Sequence, residues 1–286
     1  MQYIILNNQL INADEAKISP QDRGFRYGDG VFETMLVQDR RIYQWDFHVD
    51  RLARGLAAIK ISFDVSFLII PCFELVSING VKNGLLRLQI TRGIGGRGYL
   101  PDASATPTLV IETMEMPAPP PLAISLWLSS YSKISPKSLP VNFKLCQGLN
   151  STLARMEAAE NNCFDALMLN EAGAVCETSS ANIFWLKNGV LYTPALACGV
   201  LEGGMRNAVL RLSPYPVQEV EEGVESLRSA EEVFITNTAY KILPVSELKP
   251  LNLIFDSYAV ANDIANKIGR EVDKRKKITK NKNRKK

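Results

Sequence analysis

The chain has 286 residues, 46% hydrophobic and 22% charged, the composition of an ordinary globular protein, which gives no reason to expect disorder through its body. Its formal charge of +3 is unevenly placed: nine of the 33 Lys and Arg residues fall in 274–286, leaving 24 bases against 30 acids elsewhere. That balance lacks the basic surface field of a nucleic-acid-binding domain, no apolar run is long enough to span a membrane, and five cysteines without a CxxC pair beside a single histidine offer no metal site.

The start, MQYIILNNQLINADE, has neither the basic n-region nor the small-residue cleavage signal of a secreted protein, so a cytoplasmic location is expected. Tyr3 to Leu6 and Gln9 to Ile11 flank an Asn-Asn pair and predict a hairpin. Gly24, Gly28 and Gly30 bracket a loop, either a tight structural turn or one packed near a bound group, before a strand over Val31 to Val37. Phe47, Leu52, Leu56 and Ile59 recur at helical spacing. His48 in that helix reads as structural. Arg51 reads as needing a partner, because its fork suits a phosphate or a carboxylate; a surface ion pair is the plainer alternative.

A second helix is predicted over Val65 to Ile78, then a strand over Leu85 to Ile90. TRGIGGRGYL, residues 91–100, is a glycine-rich loop that does not open a helix as a dinucleotide-binding turn does; its Arg92 and Arg97 are candidate clamps for a substrate carboxylate. After a strand at Leu109 to Met114, the proline-rich MPAPPP at 116–121 predicts a domain boundary. The expectation is therefore a domain over 1–117, a second over 118–270, and a disordered basic tail over 271–286.

In the second domain a short strand is predicted to end at Lys144, a helix to cover Gly148 to Asn161, and strands to follow at Ala166 to Asn170 and Ala174 to Cys176. Glu177 then precedes a Thr-Ser-Ser cluster. A hairpin is predicted around Lys187 to Gly189. Gly203 and Gly204 lead a helix whose N-terminal amides can receive an anion, and the same reading is given to TNTA at 236–239. Phe255 to Ile268 is the last predicted helix.

The blocks DRGFRYGDGVFET, HVDRL, TRGIGGRGY, NFKL, LARMEA, DALMLNEAGAVCETSSANIFWLKNGVLYTP, GVLEGGMR and TNTAYKILPVSEL occur in an unbroken order that resembles the class IV aminotransferases, the fold type IV pyridoxal-phosphate enzymes. The resemblance implies an α+β fold of two domains, a small N-terminal α/β domain and a larger C-terminal domain with a β-barrel-like core. It implies pyridoxal 5'-phosphate as cofactor, a small-molecule amine as substrate, no metal, and a homodimer with its active site near the subunit interface. Lys144 matches the lysine that holds the cofactor covalently and moves protons. Glu177 matches the carboxylate facing the ring nitrogen, and Arg51 the arginine on the phosphate. Gly204 with Met205, and Asn237 with Thr238, match the backbone pairs on that phosphate. Arg97 and Tyr99 fall where relatives contact substrate, and Phe32 and Leu36 where they line the pocket. Within the family, GGRGY at 95–99 and CETSSANIFW at 176–185 look most like aminodeoxychorismate lyase, which forms 4-aminobenzoate and pyruvate for folate synthesis. Branched-chain or D-amino-acid transamination is the alternative.

Overall fold

Asn7 and Asn8 both take positive φ, the backbone of a type I′ turn, and so join β1 (Tyr3–Leu6) to β2 (Gln9–Asn12) as the sequence predicts. The computed structural model describes residues 2–283, with side chains described through residue 271. The chain divides into two units, Met1–Ala118 with Pro140–Gly148, and Pro119–Leu139 with Leu149–Lys286.

The first unit continues with α1 (Arg23–Tyr27), β3 (Gly30–Gln38), β4 (Arg41–Ile42), α2 (Trp45–Ala58), α3 (Ile69–Ile78), β5 (Asn83–Thr91) and β6 (Thr108–Met114). Among the described residues its strands form one sheet in the order β2-β1-β6-β5-β3-β4. Side chains alternate across a strand, and here the alternation separates two environments. Val31, Met35, Leu86, Leu88, Ile90, Leu109 and Ile111 are buried on one face, which meets α2 and α3. Phe32, Thr34, Arg87, Gln89, Val110 and Glu112 share the other face and are half-buried.

The second unit holds β7 (Ile124–Leu128), α4 (Leu149–Glu160), β8 (Asp165–Leu169), β9 (Val175–Thr178), β10 (Asn182–Lys187), β11 (Val190–Pro194), α5 (Gly204–Leu212), β12 (Val217–Val220), β13 (Glu232–Asn237), β14 (Lys241–Lys249), β15 (Leu253–Ile254) and α6 (Ala259–Asn283). Its sheet runs β12-β11-β10-β13-β14-β7-β8-β9, and β9 pairs back to β10 at Glu177 and Asn182. That pairing closes β10, β13, β14, β7, β8 and β9 into a barrel and removes their free edges. Ile183, Trp185, Val233, Ile235, Val245, Leu126 and Leu167 pack in one core cluster. The architecture is the two-domain α+β fold expected, with a barrel-like second sheet.

Three local expectations are corrected. Lys144 does not end a strand: residues 141–148 are a turn followed by irregular backbone, tied to β3 by a bridge between Val31 and Leu145 and by hydrogen bonds from the Phe32 amide to the Lys144 carbonyl (2.9 Å) and from the Cys146 amide to the Gly30 carbonyl (2.9 Å). Residues 236–239 do not start a helix. Thr236 and Asn237 end β13 and 238–240 form the tight turn into β14, where the Asn237 Oδ1 accepts the amides of Ala239 (3.0 Å) and Tyr240 (2.9 Å), since asparagine serves an Asx turn as readily as a cap. The basic segment after residue 270 is helical through Asn283; 284–286 lie outside the described residues. The buried Glu232 catches the amides of Val260 and Ala261 at the start of α6, and lysine and arginine are good helix formers, so nothing breaks the helix at its charged end.

Candidate functional site

In the first unit the side chain of Lys144 is brought to the half-buried face of the sheet. Its Nζ lies 4.6 Å from the centroid of the Phe32 ring, and the guanidinium of Arg87 lies 4.2 Å from the same centroid. Gly30, where β3 starts, allows this: a Cβ there would stand 2.6 Å from the Ile90 carbonyl oxygen and 3.2 Å from the Cys146 Sγ. Arg87 also reaches the Gln89 Oε1 (3.2 Å) along its own strand and the Glu112 Oε1 (3.7 Å) on β6. A strand arginine on a half-buried face beside a lysine is a ready anion receptor, and the sequence reading passed over it. The signal was a charged residue inside LLRLQI at a position alternating with buried leucines. Leu36 shares the face of Phe32 but is 3% exposed, so it serves as packing beneath that face.

Arg51 is no surface ion pair. It is 2% exposed, and its Nε and Nη2 donate to Glu33 Oε1 (2.7 Å) and Oε2 (2.5 Å). His48 Nδ1 donates to the same Oε2 at 2.7 Å, because a carboxylate can only accept. Glu33 alternates with Phe32 and so faces the helices. Burial pushes its carboxyl up, but the hydrogen bonds and charges of His48 and Arg51 outweigh that and bring it to about 2. Burial also holds His48 below its ordinary value, against the pull of Glu33. A carboxyl with a depressed folded value stabilises the fold above its unfolded value of 4.5 and loses that stabilisation as pH falls toward 2. The loss is on the order of 3 kcal/mol. Urea unfolding between pH 5 and pH 2.5 should therefore show a steeper fall in stability for the native chain than for Glu33→Gln, which is less stable at pH 7.

Arg92, a candidate clamp, is spoken for. Its guanidinium grips Asp29 through Nε (2.7 Å) and Nη2 (2.9 Å) and donates to the Ile59 and Lys60 carbonyls beyond α2. Arg97 and Tyr99 stand in the neighbouring loop, and Tyr99 is 88% exposed.

In the second unit Glu177 is buried at the barrel's closing pair. Its Oε2 accepts from Asn182 Nδ2 (2.9 Å) and the Leu201 amide (3.0 Å), and its Oε1 lies 2.7 Å from Lys133 Nζ. Neither Lys133 nor Asn182 stood out in the sequence. The Thr-Ser-Ser cluster next to Glu177 is structural: Thr178, Ser179 and Ser180 hydroxyls all donate to the buried Asp165, at 2.8, 2.5 and 3.0 Å. Asn182 also donates to the Leu201 carbonyl (2.9 Å), so the carboxylate and the turn leading into α5 are braced by one amide. A Cβ on Gly203 would stand 2.0 Å from the Asn182 Oδ1. α5 then begins at Gly204 and Met205 without a side-chain cap from Gly203, the geometry by which a helix start receives a phosphate. Asn237 reaches toward the Ser180 carbonyl at 3.5 Å.

These features fit pyridoxal phosphate. A fixed, buried carboxylate suits a protonated ring nitrogen, a glycine-led helix N-terminus suits the phosphate, and a half-buried lysine suits the aldehyde. Among the described residues no group of His, Cys, Asp and Glu could hold a metal ion, and no helix is long and apolar enough to cross a membrane.

Comparison with known proteins points the same way. The sequence profile of the amino-transferase class IV family matches residues 30–248. A Methanocaldococcus jannaschii protein provisionally assigned as a branched-chain-amino-acid aminotransferase is 34% identical over 256 residues, covering 86% of this chain and 87% of its own. The aminodeoxychorismate lyase of Bacillus subtilis is 29% identical over 257 residues, 87% of each chain. The solved branched-chain aminotransferase of Thermoproteus uzoniensis with norvaline superposes with a TM-score of 0.88 at 26% identity, over 94% of both chains.

Proposed function

Because the chain belongs to the class IV aminotransferase family and is a pyridoxal-phosphate-dependent enzyme of that family, we propose that it is an aminotransferase moving the amino group of an amino acid to a 2-oxo acid. The observation that carries this reading is the 34% identity to the Methanocaldococcus relative across most of both chains, exceeding that to the lyase. Bound cofactor supplies an aldehyde that condenses with an amine and a ring that accepts the electron pair left at the amine-bearing carbon.

The protein's own groups do the rest. Lys144 Nζ would hold the cofactor and, as a free amine, would take the proton from the substrate's amine-bearing carbon and return it to the cofactor carbon on the far side of the amine nitrogen. Glu177 keeps the ring nitrogen protonated by opposite charge, and its three donors keep the carboxylate in place. The α5 amides at Gly204 and Met205 and the turn at Asn237 and Thr238 hold the phosphate; Arg51, whose Nε and Nη2 are taken by Glu33, adds its charge to that set. Phe32 lines the pocket, Arg97 and Tyr99 contact substrate, and Arg87 receives a substrate carboxylate. A homodimer is the working assembly.

Arg87→Gln should raise KM for amino acid and 2-oxo acid alike, roughly 10- to 100-fold, the loss of a charged hydrogen bond to substrate. Steady-state kinetics with both substrates check it. Aminodeoxychorismate lyase is the second reading, favoured by the Bacillus relative and by the GGRGY and CETSSANIFW strings. Cofactor-loaded protein assayed against a panel of amino acids with 2-oxoglutarate or pyruvate, and separately against 4-amino-4-deoxychorismate alone, tests the two. Amino transfer without 4-aminobenzoate formation supports the first; 4-aminobenzoate formation without transfer overturns it.

A further inference from the structure

Two backbone carbonyls of the exposed loop at 93–99 and one carboxylate converge on a single buried side chain. Arg23, 3% exposed, donates through Nε to Asp29 Oδ2 (2.9 Å), through Nη1 to the Gly98 carbonyl (2.9 Å) and through Nη2 to the Tyr99 carbonyl (3.0 Å). Its own amide donates to the Gly93 carbonyl at 2.8 Å. The loop's glycines fit this arrangement. A Cβ on Gly95 would stand 2.6 Å from the Arg23 Cδ, a Cβ on Gly93 would stand 1.8 Å from the Thr106 carbonyl oxygen, and Gly93 and Gly98 have φ of +83° and +91°. The Tyr27 ring completes the seat, 4.7 Å from the Arg23 guanidinium and 5.7 Å from the Tyr99 ring.

Asp29 makes the seat part of the pocket wall. It lies one residue before β3, which carries Phe32, and it is shared by Arg23 and Arg92. Arg92 in turn holds the carbonyls of Ile59 and Lys60. One carboxylate between two guanidiniums therefore fixes the loop with Arg97 and Tyr99 against the strand with Phe32. Both arginines outweigh the burial that would otherwise raise the Asp29 carboxyl, and hold it below its ordinary value.

We infer that Arg23 is a positioning residue for substrate recognition: through Asp29 and the Gly98 and Tyr99 carbonyls it sets the place of the loop that presents Arg97 and Tyr99. The inference rests on the proposed role of that loop. The Arg23 side chain meets Asp29, the Gly98 and Tyr99 carbonyls and the Tyr27 ring. Its loss thus acts on substrate binding, with cofactor binding left to other residues.

The test compares the native chain, Arg23→Gln and Gly95→Ala, all loaded with pyridoxal phosphate, in steady-state kinetics, visible absorbance and limited proteolysis. Gly95→Ala keeps every ionic group and forces the loop and the Arg23 side chain apart. Both variants are expected to raise KM for the amino substrate roughly 10- to 100-fold, the cost of a misplaced contact, with kcat changed less than about threefold, native cofactor absorbance, and faster cleavage within 93–105. Native KM in both variants, or a joint fall of kcat and cofactor absorbance in both, would overturn the inference. No turnover of any substrate by the native chain would sink the proposed function instead, and the cleavage pattern would still report on the Arg23 seat.

Discussion

Lys144→Ala is expected to lower kcat by at least roughly 10⁴-fold, because one amine provides both the covalent attachment and the proton transfer. The fold should not be at fault. The backbone of residues 144–146 is held by hydrogen bonds with Gly30 and Phe32 that alanine keeps, and the amine that is lost sits over a half-buried ring, not in the core. A surface-type truncation of this kind changes stability by about 0.5 kcal/mol. The variant should therefore unfold with the native chain on heating while binding the cofactor reversibly. Turnover within about 100-fold of the native rate would remove Lys144 from the mechanism.

Glu177→Gln has the second largest expected effect, a fall in kcat of roughly 10²- to 10³-fold. An amide has nearly the shape of the carboxylate, and its oxygen can still accept from Asn182 and Leu201. It cannot supply the negative charge that favours a protonated ring nitrogen. Lys133 then faces an amide nitrogen at what is now a 2.7 Å ion pair, so a stability loss of about 1–3 kcal/mol accompanies the kinetic one. The two effects separate by measuring thermal unfolding of the empty protein beside kcat of the loaded one. A Gln variant that is destabilised yet fully active would reassign Glu177 as a partner of Lys133 alone.

The strand alternation of β3, β5 and β6 and the helical spacing of α2 were legible because each segment buries one face and so repeats at its own period. The Asn-Asn and Lys-Asn-Gly turns were legible for the same local reason. What the chain hid was long-range. Residues 141–144 read as a strand of the second domain because a few apolar residues around Lys144 suffice for that pattern; the hydrogen bonds of Lys144 and Cys146 to Phe32 and Gly30, more than a hundred residues away, place the segment in the first unit. The role of Glu33 was not marked locally, although a lone acid at a buried position of a strand needs cationic partners, and Arg51 and His48 stand one helical turn apart on α2. Arg51 was correctly read as needing a phosphate or a carboxylate, and the structure supplies the carboxylate of Glu33. Lys133 lay in a Ser/Pro/Lys loop with no periodicity to mark it, and only the fold brings its amine to Glu177.

The central claim, amino transfer through Lys144 and a bound pyridoxal phosphate, is tested most directly by a half-reaction. Cofactor-loaded protein is mixed with excess amino acid and no 2-oxo acid, and the 2-oxo acid released per bound cofactor is counted. The account predicts one equivalent, then arrest until a 2-oxo acid is added. Absence of any 2-oxo acid with every amino acid tried, while the same protein turns over 4-amino-4-deoxychorismate continuously without an acceptor, would contradict it.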